Sequence, residues 1–225
     1  MTRSMRVVVT RPATQAGELA ERLESAGHEA VLCPLIEIES LGDEPIDVTP
    51  YDWVVVTSAN GASELARWRQ GEPKQVAAIG ETTADALRAA GMRVDFVPRV
   101  STQEGLVAEL PRPAGRVLLV AAEGARRHLV DELGAEFVAL YRSVPLTPER
   151  PPSGDLVVLA SGSAARAFAA LNRPLPAVSI GPETTRAAEE AGVRVIAEAR
   201  SHDLDGLIQA VQEASDRVRA WSSPS

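Results

Sequence analysis

The chain of 225 residues is 45% hydrophobic and carries 23 basic and 31 acidic residues, for a formal net charge of −8 at neutral pH. That length exceeds one typical domain of roughly 100–150 residues, and the acidic balance argues against a general nucleic-acid or anionic-membrane surface. The single Cys33 excludes an intrachain disulfide and a cysteine-based zinc cluster.

The N-terminus, MTRSMRVVVT, breaks into charge within a few residues and has no signal-peptide core. No apolar run approaches the roughly 20 residues that span a bilayer, so the expectation is a cytoplasmic protein. Lys74 is the only lysine; the remaining basic residues are arginines, which suit two-pronged recognition of carboxylates.

In chain order, RVVVT from Arg6 reads as a strand, followed by the helical period of AGELAERLESA from Ala16 and a C-cap at Gly27. The stretch from Leu35 to Pro50 is extended, Pro-containing and partly acidic, and reads as a linker. WVVVT from Trp53, with ASELARW from Ala62, is the next strand and helix. VAAIG from Val76 follows, with TADALRAA from Thr83 closed by Gly91. VLLVA from Val117, RRHLVDEL from Arg126 and Gly134 repeat the scheme, and AEFVAL from Ala135 reads as a strand ending at Tyr141. A second linker covers Tyr141 to Pro152. LVVLA from Leu156, VSIG from Val178, TRAAEEA from Thr185 and Gly192 complete the alternation, and the tail after Ala220 reads as loose. Short Val-rich runs without alternation are strands covered on both faces, which predicts an α/β fold of doubly wound parallel sheets.

The order of elements is also duplicated. DWVVVTSANGA at Asp52 matches DLVVLASGSAA at Asp155, and AIGETT at Ala78 matches IGPETT at Ile180. TQEGL at Thr102 matches HDLDGL at His202, while MRVVV at Met5 matches GRVLLV at Gly115. The offset of the first three pairs is about one hundred residues, far beyond the roughly 20–50 of a solenoid. One unit is used twice.

Hydroxyls gather where strands give way to helices: Thr10, Thr57 with Ser58, Thr82 with Thr83, Ser161 with Ser163, and Thr184 with Thr185. In a doubly wound sheet ligands sit outside the carboxyl ends of the strands. Helix N-termini there offer unpaired N–H groups and partial positive charge. Gly80 and Gly181 let the chain turn tightly. Ser and Thr are also ordinary N-caps, and only their duplication points to a large, multiply anionic ligand. Arg11 and Arg126 follow strands and can meet carboxylates, although each also reads as a solvated arginine. Dinucleotide and Walker turns are missing, ASGSA lacks both glycines of a nucleophile elbow, and HDLD reads as a capping loop rather than a metal site.

Taken together, VTRP at Val9, VTSANG at Val56, AIGETT at Ala78, STQEGL at Ser101, LYR at Leu140, ASGSA at Ala160 and IGPETT at Ile180 resemble the uroporphyrinogen-III synthase family, in order and over nearly the whole chain. The resemblance implies two α/β lobes, one inserted into the other and joined by a two-stranded linker. Residues 1–37 with 153–225 would form the discontinuous lobe, 50–141 the inserted one, and 38–49 and 142–152 the linkers. It implies a cofactor-free, metal-free, monomeric lyase that cyclises linear hydroxymethylbilane, with inversion of the terminal pyrrole ring and loss of water, the substrate being handed over from hydroxymethylbilane synthase. Tyr141 would be the catalytic residue, bonded to the departing hydroxyl. Arg11, Thr57, Ser58, Asn60, Gly80, Thr82, Thr83, Ser101, Arg126, Ser161, Ser163, Gly181, Thr184 and Thr185 would hold the eight substrate carboxylates, the matching corners gripping one polyanion. Two other readings stay open: a two-lobed binding protein for a small anionic effector, and a glycosyl- or nucleotidyl-transferase.

Overall fold

A computed structural model describes residues 4–221, and the last residues of the tail, 222–225, lie outside them. Trp221, read from sequence as part of that tail, is helical. The chain runs β1 (Arg6–Val9), α1 (Ala13–Ser25), β2 (Glu29–Leu32), β3 (Ile36–Ser40), β4 (Ile46–Asp47), β5 (Trp53–Val56), α2 (Ala59–Trp68), β6 (Arg69–Gln70), β7 (Val76–Ala78) and α3 (Glu81–Ala89). It continues with α4 (Gln103–Glu109), β8 (Val117–Ala122), α5 (His128–Leu133), β9 (Glu136–Pro145), β10 (Leu156–Leu159), α6 (Gly162–Ala170), β11 (Ala177–Ser179), α7 (Pro182–Glu190), β12 (Val195–Glu198) and α8 (Leu204–Trp221). Among the described residues no helix is long and apolar enough to cross a membrane.

Two compact units emerge, one of residues 1–37 with 144–225 and one of Ile38–Ser143. The first is built on a five-stranded sheet in the order β12-β11-β10-β1-β2, parallel throughout. The second has the order β3-β9-β8-β5-β7, with β9, β8, β5 and β7 parallel. A parallel bridge from Ala77 to Phe96 extends this sheet beyond β7. Both stretches read as linkers contain strand. Residues 36–40 form β3, and β9 runs four residues past Tyr141, where the sequence expectation had ended it. The polar character of Arg142 and Ser143 disguised that continuation. Arg142 is fastened by a two-pronged ion pair to Glu39 of β3, with both N···O distances 2.9 Å.

Burial on both faces explains the non-alternating valine runs. In β5, Val54 and Val56 join Leu65, Leu87 and Leu118 in one cluster. Trp53 and Val55 point the other way, into a cluster with Leu106, Leu119 and Leu129. In the first unit, Val7, Val9, Leu156 and Val158 pack with Leu19, Leu23, Leu207 and Val211.

The duplication is legible atom by atom. Taking β10, β11, β12, β1, β2 in the order of the repeat against β5, β7, Phe96, β8, β9, both sheets have the spatial order third, second, first, fourth, fifth. Asp155 Oδ2 accepts the Arg6 backbone N–H at 2.8 Å, and Asp52 Oδ2 accepts that of Arg116 at 2.8 Å. Arg6 pairs with Glu29 at 3.0 Å, Arg116 with Glu136 at 2.7 Å. Strand order reverses between β1 and β10 in one unit and between β5 and β8 in the other, and such switch points hold ligands.

Two glycines of the repeat have no room for a side chain. A Cβ on Gly105 would lie 2.1 Å from the Val100 carbonyl oxygen, and one on Gly206 would lie 2.1 Å from that of Ser201. Neither neighbour can rotate away, because both are backbone. Gly105→Ala should therefore lower unfolding free energy by about 3 kcal/mol or more, at or above the top of the usual overpacking range. Gly17→Ala, at an exposed mid-helix site with no atom within 4 Å, should raise it by about 1 kcal/mol. Urea denaturation of the two variants checks both signs.

Candidate active site

The second unit offers the most developed corner. β5 ends at Val56, and Ser58 caps α2 by accepting the Gly61 N–H at 2.9 Å on its Oγ. The same Oγ shares a hydrogen bond of 2.8 Å with the Tyr141 hydroxyl. Tyr141 is 6% exposed. A bulge between Ala121 and Ala122 shifts the β8–β9 register so that Ala122 faces Tyr141. Such bulges re-aim a side chain. The Glu123 N–H donates to the Tyr141 carbonyl at 2.9 Å, fixing the backbone there. Burial pushes the Tyr141 phenol above its usual pKa of 10, with Ser58 pulling the other way and less strongly. The group is a protonated donor at neutral pH. Thr57 and Asn60 are half-buried beside Ser58 in sequence.

At the α3 corner, Gly80 is the N-cap and meets Ser101 closely: a Cβ on Gly80 would lie 2.7 Å from Ser101 Oγ. Thr82 is exposed on the first turn, while Thr83 is buried at 4% exposure. Arg126, expected from sequence to meet substrate, is already committed. Its guanidinium forks onto the Glu104 carboxylate at 2.7 and 3.3 Å, holding that acid at a pKa of about 2.

In the first unit, Ser161 caps α6 through the Ala164 N–H at 3.2 Å and bonds Ser163 at 3.0 Å. Gly181 caps α7, and Pro182 takes the first helical position. Thr184 thereby occupies the third helical position that Thr83 holds in α3, and it is likewise buried, at 5% exposure. Thr185 matches Ala84 instead. Its hydroxyl bonds Ser179 at 2.6 Å, the Gly181 carbonyl at 3.3 Å and the Glu198 carboxylate. Thr10 is buried and donates to the Val158 carbonyl at 2.9 Å, a structural bond.

Arg11 stands just beyond β1, at this unit's switch point. It is half-buried, its pKa is lowered chiefly by that burial, and its side chain bonds Gln15 Oε1 at 3.3 Å. It makes no ion pair among the described residues. The nearby Glu18 charge stabilises the cation, but less strongly than burial destabilises it.

Two residues of the matched TQEGL and HDLDGL segments take places that the sequence did not assign them. The His202 ring takes against Gly181 the place that Ser101 takes against Gly80, 2.8 Å from where a Cβ on Gly181 would sit. Aligning the two repeats residue by residue exposes the exchange. Asp203, beside it, caps α8 as the sequence implied, accepting the Gly206 N–H at 2.7 Å. Gln103, buried at the start of α4, lies inside the STQEGL segment, but sequence alone assigns it no role of its own beside Ser101. Among the described residues no group of three or more His, Cys, Asp or Glu side chains is placed to hold a metal ion.

Residues 17–209 match the family described as Uroporphyrinogen-III synthase HemD. The uroporphyrinogen-III synthase of Synechococcus elongatus is 28% identical, over 92% of this chain and 94% of that one. That of Chlorobaculum parvum is 26% identical, over 92% of this chain and 98% of that one. A mutant uroporphyrinogen III synthase from Thermus thermophilus, solved by crystallography, shares the fold at a TM-score of 0.65 and 19% identity, covering 95% of this chain and 100% of that one.

Proposed function

The chain belongs to the uroporphyrinogen-III synthase family, and from that premise we propose that Tyr141 is its catalytic donor and that the hydroxyl corners of each unit hold the substrate carboxylates. The reaction closes linear hydroxymethylbilane to uroporphyrinogen III, inverting the terminal pyrrole ring and releasing water. A pyrrole nitrogen expels the hydroxyl with little help, and unassisted closure gives the uninverted isomer. The protein's task is therefore orientation, where held geometry is worth several kcal/mol.

The observation that carries this reading is the Tyr141–Ser58 pair. A buried phenol, kept protonated and bonded at 2.8 Å to the hydroxyl that caps α2, is a donor held at a helix N-terminus. That combination suits a leaving hydroxyl attached to a carboxylate-bearing chain. Arg11, Thr57, Asn60, Thr82, Ser101, Ser161 and Ser163 are the groups we assign to the carboxylates, together with the N–H groups behind Gly80 and Gly181. Thr83 and Thr184, both buried, support the helix turns that present those N–H groups. The enzyme acts as a monomer in the cytoplasm, composed of a discontinuous lobe and an inserted one, and receives its substrate from hydroxymethylbilane synthase.

The test supplies freshly made hydroxymethylbilane and separates the product isomers by chromatography after oxidation. The type III isomer should dominate with protein present. A ratio of types I and III equal to that of a protein-free tube overturns the assignment.

A further inference from the structure

We infer that Gln103 is a positioning residue for the reaction, anchoring the loop that seats Tyr141. This rests on the reading of Tyr141 given above and extends it to a residue of the STQEGL segment that has no assigned role.

Gln103 opens α4, directly after the capping Thr102, and is 6% exposed. Its Nε2 donates to the Arg126 carbonyl at 3.3 Å, while its Oε1 is buried without a hydrogen-bond partner among the described residues. A buried amide oxygen left unpaired is destabilising, and such groups in native proteins call for an explanation. The fold itself does not demand an amide here. Gly105 matches Gly206 in the repeat, and Thr102 matches Asp203 as the cap, so the position equivalent to Gln103 is Leu204. That leucine packs against the apolar core of the other unit.

The loop from Glu123 to Arg127 supplies the missing reason. At its start the Glu123 N–H holds the Tyr141 carbonyl at 2.9 Å. At its end the Arg126 carbonyl is held by Gln103, and the Arg126 guanidinium by Glu104, the next residue of the same helix. Helix α4 thus fixes one end of a short loop whose other end fixes the tyrosine backbone. A locally unfavourable polar group that persists where an apolar residue would fit is the pattern expected of a residue kept for function.

The test uses Gln103→Leu, the residue the repeat itself carries, and Gln103→Met, which preserves chain length. The protein has two tyrosines, so uniform 3-fluorotyrosine labelling gives two fluorine resonances, with Tyr51 as the internal control. In both variants the Tyr141 resonance should shift or broaden while that of Tyr51 stays. Turnover should fall about tenfold with KM changed less than twofold, and the thermal midpoint should be no lower than in the parent. Unmoved resonances with parental turnover, while Tyr141→Phe remains slow, overturn the inference. Loss of the fold in both variants overturns it too, since the amide would then be structural. If Tyr141→Phe leaves turnover intact, the reading of Tyr141 fails, and the fluorine shift alone decides the positioning role.

Discussion

Tyr141→Phe is expected to lower kcat about tenfold, leave KM within twofold, and keep the protein folded. The size follows from the chemistry. The leaving hydroxyl departs with help from the pyrrole nitrogen, so the phenol contributes a single hydrogen bond that strengthens in the transition state, worth about 1–1.5 kcal/mol. That is less than the full range open to general acids. The fold survives because Ser58 Oγ keeps the Gly61 N–H and the ring keeps its packing. Since burial raises the phenol pKa above 10, its proton stays in place throughout the neutral range. The kcat profile should therefore show no loss attributable to this group until alkaline pH. Single-turnover kinetics from pH 6 to 10 check both statements. Parental turnover in the variant would remove the catalytic role.

Arg11→Gln should raise KM by roughly 10- to 100-fold with kcat little changed. A hydrogen bond to a charged partner is worth about 1.5–3 kcal/mol, and each 1.4 kcal/mol is a factor of ten. The half-buried guanidinium makes no ion pair among the described residues, so the protein gives up only the Gln15 bond and a weaker attraction to Glu18. Thermal stability should accordingly stay level or rise slightly, because a partly desolvated charge is gone. Steady-state kinetics paired with calorimetry separate this from a folding defect. A fall in melting temperature with unchanged KM would reassign Arg11 to the scaffold. The same substitution at Arg126 should act in the opposite way, costing order around the loop, because that arginine already has its carboxylate in Glu104.

The contrast between those two arginines marks the limit of sequence reading. Both follow a strand and both face helix starts, and nothing local distinguishes them. What separates them is Glu104, 22 residues before Arg126 in the chain. Likewise Thr184 and Thr185 look interchangeable until Pro182 is seen at the first helical position and Glu198 is found against the Thr185 hydroxyl. By contrast, the strands were plain, since Val54 and Val55 face opposite clusters and both are fully buried. Period-based signals report burial, which each residue records by itself. Partnership across the fold is recorded by two residues together, and only an internal repeat, as with Gly80 beside Ser101 and Gly181 beside His202, lets one chain display it.

The shared strand order has a consequence for how the molecule assembles. β5, β7, β8 and β9 lie within one continuous stretch of chain, whereas β1 must wait for β10, with Thr10 bonding Val158 across 148 positions. Closing a longer loop carries a larger entropic cost, and slow nucleation follows from such distant pairings. During synthesis the middle of the chain emerges complete while its first strand still lacks a neighbour on one side. The opening β1–α1–β2 segment is thus the part that a chaperone would meet unfinished.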